Sequence, residues 1–272
     1  MSATTASQAG GGRRWRAPPF IANPWLRLAI YGGAALYLAL ALGTLQVNWA
    51  RVAEGLVRGW AFIAAFGSPD FVSRWAEIQE GMIESLTMTV VSTVLGVALS
   101  LPVGLGAARN LAPMPVYLVC RAIIAASRSF PEIIVAILFV KMFGFGPLAG
   151  MVTLAFATIG FMAKLLAEDL EDIDEAQVEA IRAAGASWPQ MMVYAVQPQV
   201  LPRFIGLSVY RLDINFRESA VIGIVGAGGI GATLNTSFDR YEFGTSAAIL
   251  ILIILIVMAA EYSSGIIRKR LQ

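Results

Sequence analysis

The sequence predicts an all-α polytopic membrane protein with about six transmembrane helices, and three observations carry that prediction. Hydrophobic residues make up 57% of the 272-residue chain and charged residues 14%, and the mean hydropathy of +0.70 lies outside the soluble range. Several uncharged runs are long enough, at about 1.5 Å per residue, to cross a hydrocarbon layer about 30 Å thick. Counting six spans places every strong basic cluster on one side, as the preference of Lys and Arg for the cytoplasmic face requires.

Residues 1–23 are rich in Ser, Ala, Thr and Gly and carry Arg13, Arg14 and Arg16 before Pro18 and Pro19, which predicts a disordered cytoplasmic tail. Leu28 to Val47 has no charge for 20 residues. That is too long for a cleaved signal peptide and fits a first span, so the Arg13-Arg14 pair is not read as a twin-arginine signal. Asn48 to Glu84 mixes basic and acidic residues with Trp49, Trp60 and Trp75, and reads as a segment lying along the outer membrane surface.

Ser85 to Ala108 is uncharged for 24 residues and forms the second span. The third, Val116 to Val140, is predicted to be broken, because Pro131 removes a backbone donor and disfavours helical geometry at Phe130. Gly144, Gly146 and Pro147 make an outer turn, and a fourth span returns to Lys164. The fifth runs from Phe204 to Val225, and the sixth from Phe243 to Ala260 is uncharged for 18 residues and is followed by Arg268, Lys269 and Arg270. Both termini are then cytoplasmic. The chain divides into the tail 1–23, a first span with its outer segment 24–80, and a membrane core 81–272 that contains a cytoplasmic loop 165–202.

Inside that loop local rules predict helix, glycine corner, helix. Asp174 stands three residues before Gln177 as an N-cap with a capping-box partner, and Gly185 closes the first helix in the left-handed conformation. Ser187 and Gln190 repeat the box, Pro189 falls in the first turn, and Pro198 is placed where the second helix stops. Such a corner is either an ordinary structured loop or a rigid dock for a soluble partner.

Charges within the spans are informative, since each costs at least about 2.5 kcal/mol at a helix centre on insertion scales. Arg128 with Glu132, and Asp213 with Arg217, are four apart and therefore share a helical face. With Arg211 and Glu218 they form either structural ion pairs or a polar conduit, and the extra arginine of the fifth span suits an anionic substrate. Glu171 and Asp172 belong to a solvated charge run and not to acid–base chemistry.

Several functions are excluded. The chain has no histidine and one cysteine, Cys120, which rules out His/Cys metal sites, intrachain disulfides and a Cys/His dyad, and leaves no evident nucleophile and base for an intramembrane enzyme. Gly226, Gly228 and Gly231 match G-x-G-x-x-G but lack the strand and acidic partner of a dinucleotide site, and no Walker lysine follows. They are read as a tight turn or close helix packing. A formal charge of +2 gives no reason to expect nucleic acid.

Glu179-Ala180 followed by Gly185 and Pro198 resembles the EAA loop of ABC-importer permeases, with two departures: Ile181 in place of the second alanine, and Ala195-Val196-Gln197-Pro198 in place of Ile-x-Leu-Pro. Arg128-Ser129-Phe130-Pro131-Glu132, the run from Phe139 through Gly150, Tyr210 to Arg217, and Val225 to Gly231 resemble the phosphonate-type permeases. The likeness covers about residues 84–272.

It implies the binding-protein-dependent permease fold in a bacterial plasma membrane, with phosphonate, phosphite or phosphate as cargo. It also implies a second copy of the chain, two cytoplasmic ATPase subunits, which hold the ATP and Mg, and an extracytoplasmic substrate-binding protein. This chain itself then needs no cofactor and has no catalytic residue. Asp174, Glu179, Ala180, Gly185 and Pro198 shape the ATPase dock, and Arg128, Glu132, Arg211, Asp213, Arg217 and Glu218 line or brace the translocation path. The competing expectation is a gradient-driven secondary transporter or channel that uses the buried charge pairs.

Overall fold

A computed structural model describes residues 21, 23–45 and 48–271, with side chains as far as residue 266. The predicted tail 1–23 lies almost wholly outside the described residues, as do the side chains of the basic cluster 268–270. The chain divides at Gly59/Trp60 into two compact units. In the first, α1 (Pro24–Thr44) starts at Asn23, whose side chain accepts from the amide of Trp25 at 3.0 Å, and it buries no residue within the chain. Such an apolar surface, uncharged from Leu28 to the end of the helix, has lipid as its natural solvent. α2 (Trp49–Ala65) begins in this unit and is exposed along most of its length.

The second unit is a helical bundle. α3 (Trp75–Ala107) and α6 (Pro147–Glu171) form its centre and share its most extensive interface. Small and hydroxylated residues recur along the buried face of α3, at Ser85, Thr89, Ser92, Gly96, Ser100 and Gly104. They let two backbones approach closely: a Cβ on Gly96 would lie 2.5 Å from Cβ of Thr158 on α6. The hydroxyls of Thr89, Ser92 and Ser100 bond back to carbonyls of the same helix, so their donors are satisfied in the apolar interior. α3 begins at Trp75, so Glu77, Glu80 and Glu84 are its first turns and not part of a surface segment.

The broken third span is α4 (Met114–Ser129) followed by α5 (Glu132–Phe143), bent by 95° at Phe130–Pro131. After α6 come α7 (Glu175–Ala183), α8 (Trp188–Met191), a π-helical turn over Met192–Val196, and α9 (Gln197–Gly223). Two helices close the chain, the short α10 (Gly229–Asp239) and the long α11 (Phe243–Leu271). No strand occurs among the described residues.

Four helices, α1, α3, α6 and α11, are long and apolar enough to cross a membrane, and the bent pair α4–α5 is so only when its two helices are taken together. α9 is 27 residues long, about 40 Å, but carries Arg203, Arg211, Asp213, Arg217 and Glu218, which remove it from that apolar class. Two of its charges turn inward: Arg211 and Asp213 are only 3% and 4% exposed.

The glycine stretch after α9 turns the chain back into the bundle. Gly228 has φ +79, a conformation that side chains rarely adopt, and a Cβ there would lie 2.7 Å from the backbone of Pro147. α10 then starts inside the bundle, where a Glu84 oxygen accepts from the amide of Gly229 at 2.7 Å and the Ser85 hydroxyl from that of Ile230 at 2.9 Å. Two of the helix's first free donors are thereby satisfied, and the carboxylate suits the positive end of the dipole. α10 packs across α3 and α9, with Ile230 and Leu234 against Ile78 and Ile249. The glycines thus supply both the tight turn and the close helix packing read from their pattern. Arg74 clamps the entry of α3 to Glu242, just before α11, at 2.8 Å.

Candidate functional site

The corner between α6 and α9 forms as its local signals direct. Asp174 caps α7 by accepting from the amide of Ala176 at 3.0 Å, and its own amide donates to Gln199 Oε1 of α9 at 2.8 Å. The first helix ends in a Schellman motif. Gly185, at φ +81, donates to the carbonyl of Arg182 and Ala186 donates to that of Ile181. At Ser187, both the backbone N–H and the hydroxyl donate to Gln190 Oε1, at 2.8 and 2.9 Å, as half of a capping box.

Ile173 and Val178 anchor the corner on a core cluster that includes Leu166, Leu170, Val196 and Phe204. Glu179, Ala180, Gly185 and Pro198 are all exposed. Glu179 and Arg182 border a hollow of about 360 Å³ whose apolar wall includes Trp188 and Met191. The result is a rigid, solvent-facing elbow held by apolar packing beneath and by one side-chain bond to the next span.

Pro198 does not stop the second helix. It sits in the first turn of α9, directly after the π turn over Met192–Val196. A proline removes one amide and displaces the preceding turn, and the wider π turn absorbs both effects, so the backbone stays helical from Trp188 to Gly223.

The membrane-embedded charges form two groups on opposite faces of α9. Arg211, Asn215 and Glu218 are four and three residues apart and share one face, whereas Asp213 and Arg217 are offset from Arg211 by about 200° and about 240°. On the first face Arg211 is the hub. Its Nη2 donates to Glu132 at 3.2 Å and Glu218 at 3.1 Å, its Nε donates to the Thr158 hydroxyl at 3.1 Å, and its guanidinium lies 5.3 Å from the Phe161 ring centroid. Asn215 extends the network by donating to Thr93 of α3 at 2.8 Å and Thr158 of α6 at 3.0 Å. Helices α3, α5, α6 and α9 thus meet in one polar knot.

On the second face Asp213 and Arg217 make the expected pair at 2.5 Å, with Arg217 side chain 48% exposed. The Arg128–Glu132 pair expected from their spacing does not form. The bend at Phe130–Pro131 falls between them, so they no longer share a helical face, and Glu132 turns to Arg211 instead. Arg128 is exposed at the rim of a 170 Å³ cavity lined also by Ser127, Glu132, Phe161 and Arg211.

Thr93, Thr158 and Asn215 were not singled out from the sequence, and neither was the role of Glu84. For Asn215 a signal existed: an amide four residues after Arg211 and three before Glu218 completes that face. Glu84 is linked to Gly229 across 145 positions, and nothing local announces the contact.

Residues 100–272 match the family described as the binding-protein-dependent transport system inner membrane component. The chain belongs to that family. This permease is 40% identical over 248 residues to the phosphite transport system permease protein PtxC of Stutzerimonas stutzeri, a match covering 89% of this chain and 88% of that one. It is also 43% identical over 204 residues to the phosphate-import permease protein PhnE of Mycolicibacterium smegmatis, spanning 75% of this chain but 38% of that longer protein.

Among solved structures, the permease resembles a chain of the inward-facing MetNI methionine ABC transporter, with TM-score 0.63, 27% identity, and coverage of 74% of this chain and 100% of that one. A bacterial ABC transporter involved in import of the acidic polysaccharide alginate shares the fold at TM-score 0.55 and 17% identity, covering 89% of this chain and 98% of that one. The all-α membrane permease expected from the sequence is therefore the fold of this chain, and the ABC-permease resemblance is borne out.

Proposed function

We propose that this permease is the membrane subunit of an ATP-driven importer that moves phosphonate, phosphite or phosphate into the cytoplasm of a bacterium. It works as two copies with two cytoplasmic ATPase subunits and an extracytoplasmic substrate-binding protein. The observation that carries this reading is the exposed elbow at residues 174–198, rigid, closed by a left-handed glycine, and built between two membrane helices of a chain related to a phosphite permease. A soluble ATPase needs such a handle, because force on a floppy loop would not reach the spans.

In this mechanism nucleotide binding closes the ATPase pair and moves both elbows. The spans then open outward to receive cargo from the binding protein, and hydrolysis resets them. Asp174, Glu179, Ala180, Gly185 and Pro198 shape the dock, while Arg128, Glu132, Arg211, Asp213, Arg217 and Glu218 line or brace the path. Both chain termini lie on the cytoplasmic side with the elbow, and ATP and Mg belong to the partner ATPase.

The test is uptake by the complete complex in proteoliposomes, across a panel of phosphonates, phosphite and phosphate. Uptake that requires ATP and binding protein supports the importer, and transport by this chain alone down an ion gradient would sink it.

Gly185→Arg tests the elbow separately. The left-handed backbone costs a side-chain-bearing residue about 1–2 kcal/mol, so ATP-coupled uptake should fall about five- to thirtyfold while the spans still assemble. Glu179→Lys, which reverses an exposed charge on the dock, should act in the same direction. Unchanged coupling in both variants would remove the elbow from the mechanism.

A further inference from the structure

The six charged residues of the membrane core do not have equivalent positions. Arg211 is 3% exposed, and its donors are committed to Glu132, Glu218 and Thr158. Arg217 is held by Asp213 on the far face of α9. Other arginines of the bundle are paired as well, Arg121 with Glu171 and Arg203 with Asp169. Arg128 differs from these: among the described residues it has neither an ion pair nor a hydrogen bond, and it borders the cavity above Arg211. Lys141 also makes no ion pair among the described residues, but it stands in the last turn of α5, where a flexible stem reaches water.

The fold goes to some length to hold Arg128 there. Pro131 ends α4 at Ser129, which leaves Arg128 in its last turn. The Ser127 hydroxyl donates to the carbonyl of Phe156 at 2.8 Å and pins that turn to α6. Gly160 makes the approach possible, since a Cβ there would lie 2.3 Å from Ser127 Oγ, 2.6 Å from Ser127 Cβ and 3.4 Å from Cγ of Arg128. A free guanidinium among membrane helices carries a desolvation cost of at least about 2.5 kcal/mol unless an anion or water meets it.

The space beside it is small. At 170 Å³ the cavity is below the roughly 300–1,000 Å³ of sites for drug-sized ligands and equals the liquid volume of about six waters, the scale of a small oxyanion. Glu132 lines the same cavity but is turned to Arg211 at 3.2 Å. One nearby carboxylate limits how tightly an anion binds, which suits a site that must also release.

We propose that Arg128 is the residue of this chain that contacts the phosphorus oxyanion in transit, and that Arg211 is the positioning residue holding the cavity's wall. This rests on the importer reading given above. The planar fork of an arginine matches a tetrahedral oxyanion, and the approach needs no rearrangement of the Arg211 network.

The experiment uses the complete complex in proteoliposomes with phosphite as the probe. Arg128→Gln should lower maximal uptake by about tenfold or more, the scale of one charge-assisted bond, with loading of the binding protein and the thermal midpoint of the complex unchanged. Arg128→Lys should recover much of the loss, and Lys141→Gln should stay within about twofold of the wild type. Gly160→Ala, which displaces the α4 end without changing charge, should impair uptake in the same direction.

Equal uptake by Arg128→Gln and the wild type would overturn the proposal, and so would equal loss in Arg128→Lys and Arg128→Gln. A defect that disappears in vesicles without anionic lipid would assign Arg128 to a lipid headgroup and would also overturn it. Failure of the wild-type complex to carry any phosphorus oxyanion would instead overturn the importer reading itself.

Discussion

Replacing Arg211 by leucine is expected to destabilise the permease by about 3–5 kcal/mol, the cost of breaking a buried ion pair from one side. The loss comes from what is left behind. Glu132 and Glu218 would remain as two carboxylates without the guanidinium that bridges them, and Thr158 would keep only the donor it receives from Asn215. The effect should appear as a lowered unfolding midpoint in detergent and a reduced amount of protein in the membrane. Adding Glu132→Gln and Glu218→Gln to Arg211→Leu should recover at least half of the deficit, because the isosteric amides remove the stranded charges. A single variant as stable as the wild type would show that the knot is solvated and not structural.

The second large effect is expected at Gly231. A Cβ on this residue would lie 2.0 Å from the carbonyl oxygen of Ala220 and 3.0 Å from Cα of Gly223, so the obstacle is the backbone of α9 and no rotamer change relieves it. Gly231→Ala should therefore cost about 3 kcal/mol, at the upper end for overpacking, and Gly231→Val more. The cost falls on α10, whose start is fixed by Glu84 and Ser85 and cannot retreat. Gly265→Ala is the control, since nothing lies within 4 Å of its added methyl. Thermal unfolding of the two alanine variants side by side decides the matter, and equal midpoints would remove the close α9–α10 crossing from the account of stability.

Much of this architecture is legible in the chain because its signals are local. Uncharged runs mark α1, α3, α6 and α11, Pro131 marks the 95° bend, and Asp174 with Gly185 marks both ends of α7. Each of these depends on residues within a few positions of one another. Partner choice among the charges is different. Spacing correctly paired Asp213 with Arg217, which lie on one unbroken helix. The same rule failed for Arg128 and Glu132 because the helix stops between them, although the proline that stops it was in plain view. The Arg211–Glu132 pair spans 79 positions and Asn215–Thr93 spans 122, distances at which only tertiary packing decides who meets whom.

Pro198 shows a subtler limit. Its fixed geometry pointed to a helix end, yet the chain widens one turn and continues. A π turn holds one residue more than an α turn over the same stretch, and that residue carries a rotation of about 100°. The azimuth of the elbow relative to the Arg211 face of α9 is therefore set by Met192–Val196 as a phase offset between two halves of one continuous rod. Deleting one residue there would alter length by only about 1.5 Å but would turn the elbow by more than a quarter of a revolution. Indels in this turn thus act on orientation, and single-residue deletions through it would leave the dock intact while aiming it in the wrong direction.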